Sequence, residues 1–118
     1  MEFAINLLRK YHELSPAFIE DLCKRIRIIE PKAGNTLLLP GDICRDLYLI
    51  EKGMLACYDH YLNEKYCSWI MTVGDFVTAV ESFNYKVIST ESIVALTDSR
   101  LLALNREDFE YQIGRAHV

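Results

Sequence analysis

The chain lacks the cysteine spacing on which metal centres and disulfide scaffolds depend. No C-x-x-C pair occurs, and 20, 12 and 9 residues separate the four cysteines, Cys23, Cys44, Cys57 and Cys67. Zinc and iron–sulfur sites usually use closely paired ligands, so we expect no metal and no cofactor. The thiols are interpreted as small buried hydrophobic groups. Cys44 follows a Gly-Asp turn and is predicted to be the most exposed of them.

Long apolar runs and an excess of positive charge are also missing. No run approaches the roughly 18 apolar residues of a membrane span, and the acidic start Met1-Glu2-Phe3 does not fit a secretory signal. We therefore expect a cytoplasmic protein without membrane contacts. Thirteen Lys and Arg against seventeen Asp and Glu give a net charge of −4. Since clustered cations hold nucleic-acid phosphates, DNA binding by this fragment alone is not expected.

Histidine is too scarce for a metal enzyme built on a jelly roll. Cupins hold their metal with an H-x-H pair, a carboxylate and a third histidine on neighbouring strands. Here His12 lies in a predicted helix, His60 near a predicted hairpin and His117 at the tail. No recognisable nucleophile setting or glycine-rich phosphate loop occurs either. We predict that the chain is not an enzyme, and keep a cupin-like metal-dependent enzyme as the less favoured alternative.

What the chain does have is a regular series of glycines between short apolar runs. Gly34, Gly41, Gly53 and Gly74 separate the runs Thr36–Leu39, Leu47–Ile50, Met54–Tyr58 and Tyr66–Val73. Glycine accepts positive φ, so these positions predict turns between strands. Residues alternate with a period of two in Ser92–Thr97 and in Cys67–Val73, which predicts strands with one face in a core. Tyr61–Lys65 is predicted to be a hairpin with Asn63 in a left-handed conformation.

Helices are predicted at both ends of this strand-rich region. An apolar stripe of Phe3, Leu7, Leu8, Tyr11 and Leu14 indicates a first helix. A second begins with Ser15 as N-cap and Pro16 as its first residue, and Asn105 is predicted to cap a last one. Ala79–Tyr85 lacks strand alternation.

The chain contains the sequence pattern Lys32-x-Gly34-x-x-Leu37-x-x-x-Gly41-Asp42, followed by Leu47-Tyr48-x-Ile50-x-x-Gly53. This pattern resembles the opening of a cyclic nucleotide-binding domain of the Crp/Fnr type. The resemblance covers roughly residues 15 to 113. It implies a mainly β fold, a double-stranded β-helix (jelly-roll, cyclic nucleotide-binding-like) with N-terminal helices and a short C-terminal helix, and a short helix at 79–85. Residues 1–113 are predicted to be the sensory domain, and residues 114–118 a truncated or non-native tail.

The resemblance also implies where a ligand would bind. Family members that bind a cyclic nucleotide hold its ribose with a Gly-Glu pair and its phosphate with an Arg-Ser or Arg-Thr pair, and these fall on Thr78-Ala79 and Ser89-Thr90 here. Both charged anchors are missing, so weak or no binding of cyclic AMP is expected. The effector is therefore an unidentified small molecule, with an anion among the options. The candidate ligand-binding residues are Thr78, Ala79, Glu81, Ser82, Tyr85, Lys86, Ser89 and Thr90.

The function that the resemblance implies is ligand sensing by a Crp/Fnr-like transcription regulator, with DNA contacted only through a further C-terminal domain. The first alternative is a stand-alone small-molecule-binding module without that output. The family's long dimerising helix is not within these residues, so a homodimer of this fragment is expected to be weak.

DNA binding gives a direct test of the charge argument. Because the fragment is net acidic and holds no predicted recognition helix, gel shifts with mixed duplexes at low salt should show no complex. Salt-sensitive binding at micromolar concentration would contradict this prediction.

Overall fold

The structure, a computed structural model, describes residues 15–116. The predicted helix from Phe3 to Leu14 lies outside the described residues. Three helices are described: α1 (Pro16–Arg25), α2 (Val80–Tyr85) and α3 (Arg106–Ala116). Eight strands are described: β1 (Arg27–Ile29), β2 (Thr36–Leu38), β3 (Asp46–Lys52), β4 (Leu55–Tyr61), β5 (Glu64–Met71), β6 (Phe76–Val77), β7 (Glu91–Ala95) and β8 (Arg100–Asn105).

Helix α1 begins where the sequence predicts. The Ser15 hydroxyl accepts a hydrogen bond of 3.1 Å from the backbone N–H of Phe18, and Pro16 is the first helical residue. A side-chain acceptor at this position satisfies one of the backbone donors that a helix leaves free at its start. The helix ends before β1, because Ile26 already has extended backbone.

The strands form two antiparallel four-stranded sheets, with the orders β1-β8-β3-β6 and β2-β7-β4-β5. Their facing sides share one hydrophobic core, in which Ile50, Leu55, Ile93 and Leu101 are fully buried. Apart from β4 and β5, strands adjacent in a sheet are far apart in sequence, as in a jelly roll, where each sheet is built from both halves of the chain. The predicted mainly β, cyclic nucleotide-binding-like fold is confirmed.

The β4–β5 hairpin is confirmed with its turn at Leu62 and Asn63. Asn63 has φ 66°, as predicted, but Leu62 also lies in the left-handed region with φ 50°. Two such residues in succession match the right-handed twist of a two-residue hairpin. The turn conformation thus outweighs the poor preference of leucine for it.

Strand β5 differs from its prediction. The alternation of Cys67, Trp69 and Met71 predicts one face in a core, yet Trp69 is 69% exposed and Val73 lies beyond the end of the strand. The physical reason is position: β5 is the last strand of its sheet and pairs with β4 only. Its register also shifts opposite Cys57 and Tyr58, where β5 carries one extra residue. The inward face of β5 therefore borders a cavity, and its Met71 also packs against the core.

The prediction for the Cys44 thiol is wrong. Cys44 is buried at 2% exposure, because the segment after the Gly41 turn runs inward and its backbone N–H donates to Ser82 Oγ at 2.8 Å. Cys67 on β5 is the exposed cysteine of the four.

The last helix packs against the first through polar groups. Asn105 Oδ1 accepts from the backbone N–H of Asp108 at 2.9 Å, so the predicted cap is confirmed. Arg25 of α1 donates to both Asp21 and Asp108, and Gln112 donates to Asp21 at 2.6 Å. Helix α3 is thereby attached to α1 at several points along its length.

Gly53 is required by space as well as by conformation. It has φ +100°, and a Cβ atom there would lie 2.8 Å from the backbone Cα of Ser99. Ser99 is itself fixed, since its N–H donates to Pro31 O at 2.9 Å. We expect Gly53→Ala to lower the free energy of unfolding by about 3 kcal/mol, the sum of backbone strain and overpacking.

The matched control is Gly41→Ala, because Gly41 has φ +94° and nothing within 4 Å of the added methyl group. It should cost only the strain, about 1 kcal/mol. Urea denaturation of both variants measures the difference, and equal losses would contradict the steric argument.

Candidate ligand-binding site

A cavity of about 530 Å³ opens between the inner face of the β4–β5 hairpin and the chain segment that carries β6 and the start of α2. This volume accommodates a small organic molecule. The residues that line it are Cys57, Trp69, Ile70, Met71, Asp75, Phe76, Val77, Thr78, Val80 and Glu91.

Strand pairing brings the polar and aromatic lining together. On β4, Cys57 lies opposite Trp69 of β5 on one side and opposite Ile93 of β7 on the other. Residues two apart on a strand share a face, so Glu91 lies on the same side of β7 as the buried Ile93. A carboxylate, a thiol and an indole from three adjacent strands therefore meet on the inner face of one sheet.

Glu91 is held in place by a thiol. Cys57 Sγ donates to Glu91 Oε2 at 3.1 Å, and the cysteine is 4% exposed. Burial, followed by the hydrogen bond to Glu91 and the negative charge of that carboxylate, raises the pKa of Cys57 from its ordinary 9.0 to about 12. Cys57 is therefore a neutral donor at physiological pH. No described residue donates to the other oxygen of Glu91, Oε1.

The charge in this cavity is negative. Two carboxylates, Glu91 and Asp75, line the cavity, and no Lys, Arg or His is among the described residues that line it. Asp75 accepts from the Thr72 N–H at 2.8 Å, a contact that closes the turn before β6. Glu91 is half-buried, so its carboxylate lies deeper in the protein than the exposed Asp75.

The eight candidate residues predicted from sequence are divided by the structure. Thr78 lines the cavity, and its hydroxyl donates to Asp46 O at 3.0 Å. Ala79 is buried and precedes α2, whose predicted position is confirmed. The hydroxyl of Ser82 is used inside the fold, where it accepts from Cys44 N and donates to Val87 O.

The remaining candidates lie outside the cavity lining. Ser89 is buried, and its hydroxyl both donates to Glu91 O and accepts from Glu91 N at 2.9 Å. Four others are exposed: Glu81, Tyr85, Lys86 and Thr90. Lys86 ends α2 in a left-handed conformation with φ 59°. A binding role for these residues stays a prediction. Sequence reasoning missed Cys57, Trp69 and Glu91, although the two-residue offset from Glu91 to the apolar Ile93 could have placed Glu91 on the inner face.

A second, smaller cavity of about 340 Å³ lies at the start of β3 and is lined in part by Asp42, Arg45 and Asp46. It includes a cation, in contrast to the first cavity. Within residues 15–116, no group of three or more histidine, cysteine, aspartate or glutamate side chains is placed to hold a metal ion. No helix in that range is long and apolar enough to cross a membrane.

The pattern of sheets, the short helix α2 between β6 and β7, and the cavity beside it agree with one family of sequences. The model of the cyclic nucleotide-binding domain matches residues 29–115. The chain belongs to the cyclic nucleotide-binding domain family. Membership of this family makes it a ligand-binding module. No curated protein matches the chain significantly.

Solved structures share this domain's fold at low sequence identity. The sensor domain of the transcriptional regulator DNR from Pseudomonas aeruginosa has a TM-score of 0.81 at 16% identity. The match covers 97% of this chain and 81% of the DNR chain. The catabolite activator protein of Thermus thermophilus has a TM-score of 0.77 at 24% identity, covering 90% of this chain. The regulatory subunit of a cAMP-independent protein kinase A from Trypanosoma cruzi, bound to guanosine, has a TM-score of 0.75 at 24% identity, and the match covers 86% of this chain.

The chain spans 50% of the length of the Thermus protein and 36% of the trypanosome subunit. These likenesses confirm the fold expected from the resemblance to Crp/Fnr-type sensory domains.

The state of the Cys57 thiol can be tested by alkylation. A thiol that is buried and bonded to a carboxylate gives little reactive thiolate, so iodoacetamide should modify exposed Cys67 first and leave Cys57 unmodified in the folded domain. Peptide mass spectrometry reads both sites. Because the folded pKa is raised, the stability that Cys57 contributes is present below pH 9.0 and is lost as pH rises toward about 12.

The variant Cys57→Ser removes this titration and should flatten the alkaline loss of stability relative to the wild type. Rapid alkylation of Cys57 in the folded wild-type domain would contradict the assigned hydrogen bond.

Proposed function

We propose that this domain is the ligand-sensing part of a Crp/Fnr-like transcription regulator and that its effector occupies the cavity between the β4–β5 hairpin and β6. The observation that carries the proposal is the connection from the cavity wall to the C-terminal helix. In the proposed protein, DNA contacts belong to a further C-terminal domain. The nearest alternative, a stand-alone module without such a domain, would be favoured if the gene encodes no helix-turn-helix downstream.

The connection begins at the cavity wall. Thr78 and Val80 line the cavity, and Val80 is the first residue of α2. Three residues further along the same helix, Phe83 is 3% exposed and packs against Phe109 of α3, with ring centroids 5.5 Å apart in an edge-to-face arrangement. A ligand that moves the start of α2 therefore acts on a segment already packed on α3.

A polar contact runs in parallel to this aromatic one. The first residue of α3, Arg106, is 6% exposed, and its Nη1 donates to the backbone carbonyl of Phe83 at 3.2 Å. Its own backbone N–H donates to Arg45 O at 2.8 Å. The start of α3 is thus bonded to α2 and to the segment before β3, so a displacement of α2 changes contacts that fix the direction of α3.

This geometry supports a two-state mechanism. A ligand shifts the equilibrium between two positions of α2 and α3 only by its difference in affinity for them. Contacts made by Thr78 and Val80 supply such a difference, because both belong to the segment that would move. The polar contacts of α3 with α1 through Arg25 and Gln112 would oppose or follow that movement.

The proposed effector is a small molecule, and we do not expect cyclic AMP to bind through the contacts that are usual in the family. Ala79 offers no carboxylate for a ribose, and Ser89 uses its hydroxyl on the backbone of Glu91. A related fold in the Trypanosoma cruzi subunit holds guanosine, a nucleoside without a phosphate group. That neighbour supports the idea that this fold can serve a ligand that is not a cyclic nucleotide.

The cavity assignment can be tested by filling it. Met71 lines the cavity on β5, so Met71→Trp should abolish the binding of any effector that occupies it. The control Tyr66→Trp adds the same ring to the same strand, at an exposed position outside the lining. Saturation-transfer NMR measures the binding of three probes, guanosine, phenethylammonium and cyclic AMP, to both variants. Binding that survives Met71→Trp unchanged would place the effector elsewhere and contradict the proposal.

A further inference from the structure

We infer that the cavity takes a small organic cation, an amine or ammonium compound with an apolar body, and that Glu91 is the residue that recognises its charge. This inference rests on the proposed function, since it names the ligand class of the same cavity. It replaces the anion that the sequence left among the options.

The charge of the cavity lining favours a cation over an anion. The described lining contains two carboxylates, Glu91 and Asp75, and no Lys, Arg or His. A phosphate or carboxylate that leaves water requires positively charged or numerous neutral donors. An anion at this position would instead be repelled by Glu91, while an ammonium group would be attracted.

The two carboxylate oxygens of Glu91 differ in their hydrogen-bond partners. Glu91 Oε2 accepts a hydrogen bond of 3.1 Å from the neutral thiol of Cys57. This bond fixes the carboxylate on the inner face of the sheet. No described residue donates to Oε1, and no salt bridge involves Glu91 within residues 15–116. Oε1 is not a buried atom without a partner, so it is open to solvent and to a ligand. Because the Cys57 thiol is a weaker donor than an N–H group, a ligand N–H donor or cation would give this carboxylate its strongest hydrogen bond.

The cavity lining also contains aromatic rings. Trp69 and Phe76 border the same cavity and are 69% and 51% exposed, so their rings are accessible to a ligand. Aromatic faces attract cations, tryptophan most strongly, and also cover apolar groups. Met71, Val77 and Val80 add apolar surface. Aromatic rings together with a carboxylate are the combination that suits an ammonium group attached to an apolar body.

The smaller cavity shows the contrast. Its lining at the start of β3 includes Arg45 together with Asp42 and Asp46, so of these two cavities it is the smaller that offers a described cation to an anion. Lys86, the nearest cation by sequence, ends α2 with its side chain exposed and outside the lining of the larger cavity. A site for an anion in the larger cavity thus has no described group to hold it.

A matched pair of ligands isolates the charge. Phenethylammonium and 2-phenylethanol have nearly the same size and shape, and only the first is a cation. Wild-type protein should bind phenethylammonium at least about tenfold more tightly than 2-phenylethanol, because a hydrogen bond to a charged group is stronger than one to a neutral group. Calorimetry at millimolar ligand measures both affinities.

Glu91→Gln should remove this preference while keeping the size of the side chain, so the two ligands should then bind within about twofold of each other. The control Glu81→Gln removes an exposed carboxylate next to Val80 that does not line the cavity, and should keep the preference. Unfolding curves of both variants establish that they are folded. A preference that persists in Glu91→Gln would overturn the inference, as would the absence of phenethylammonium binding to the wild type.

A cavity-filling variant separates this inference from the proposed function. If cyclic AMP or guanosine binds, phenethylammonium does not, and Met71→Trp abolishes the binding, the inference is overturned but the cavity remains the effector site. If phenethylammonium binds and Met71→Trp does not affect it, both fall. Loss of phenethylammonium binding in Met71→Trp and loss of its preference in Glu91→Gln support both.

Discussion

The structure depends on the pairing of β4 with two strands, β5 on one side and β7 on the other. That pairing places Cys57 beside Trp69 and Ile93, and so joins the closed core to the open cavity within a single sheet. Toward β7 the inner face is fully buried, since Ile93 and Ala95 have no exposed surface. Toward β5 the same face opens, because β5 is an edge strand with an extra residue in its register.

The segment between β6 and β7 is fixed by backbone bonds and not by its charged side chains. Ser89 N donates to Asp42 O at 2.7 Å, and Gly41 N donates to Ser89 O at 2.8 Å, so the end of the segment is bonded to the β2–β3 turn. Ser82 is bonded to Cys44 in the same region. These bonds fix the shape of the segment without a charged side chain. A charged residue in the segment can therefore be exchanged without removing the bonds that hold it.

The fold was predictable from sequence because its signals are local. Glycines with φ near +90° mark the turns at Gly34, Gly41 and Gly74, and the caps at Ser15 and Asn105 need only three or four neighbouring residues. The exposure of β5 and the burial of Cys44 were not predictable in this way. Both depend on which strand lies at a sheet edge and on where a loop returns, and these are contacts between residues far apart in sequence.

The lining of the cavity was less predictable from sequence, for a related reason. Alignment to the family carries residues over by position, and it directs attention to Ala79 and Ser89, where charged anchors are missing. A carboxylate that lines the cavity is supplied two residues beyond Ser89, by Glu91. Its direction follows from strand alternation with Ile93, but its partner Cys57 is 34 residues away and is identified only by the sheet.

The position of Glu91 also bears on how well a cyclic nucleotide fits this cavity. A cyclic phosphate about 5 Å from that carboxylate would be repelled by roughly 3 kcal/mol at an effective dielectric constant of about 20. An arginine at position 89 would lie two residues from Glu91 in sequence, where that carboxylate would compete with a phosphate for the cation. Under the role proposed for Glu91, a cyclic nucleotide site in this cavity would therefore require removal of Glu91 as well as charged residues at positions 79 and 89, because one carboxylate would both attract a cationic ligand and repel an anionic one.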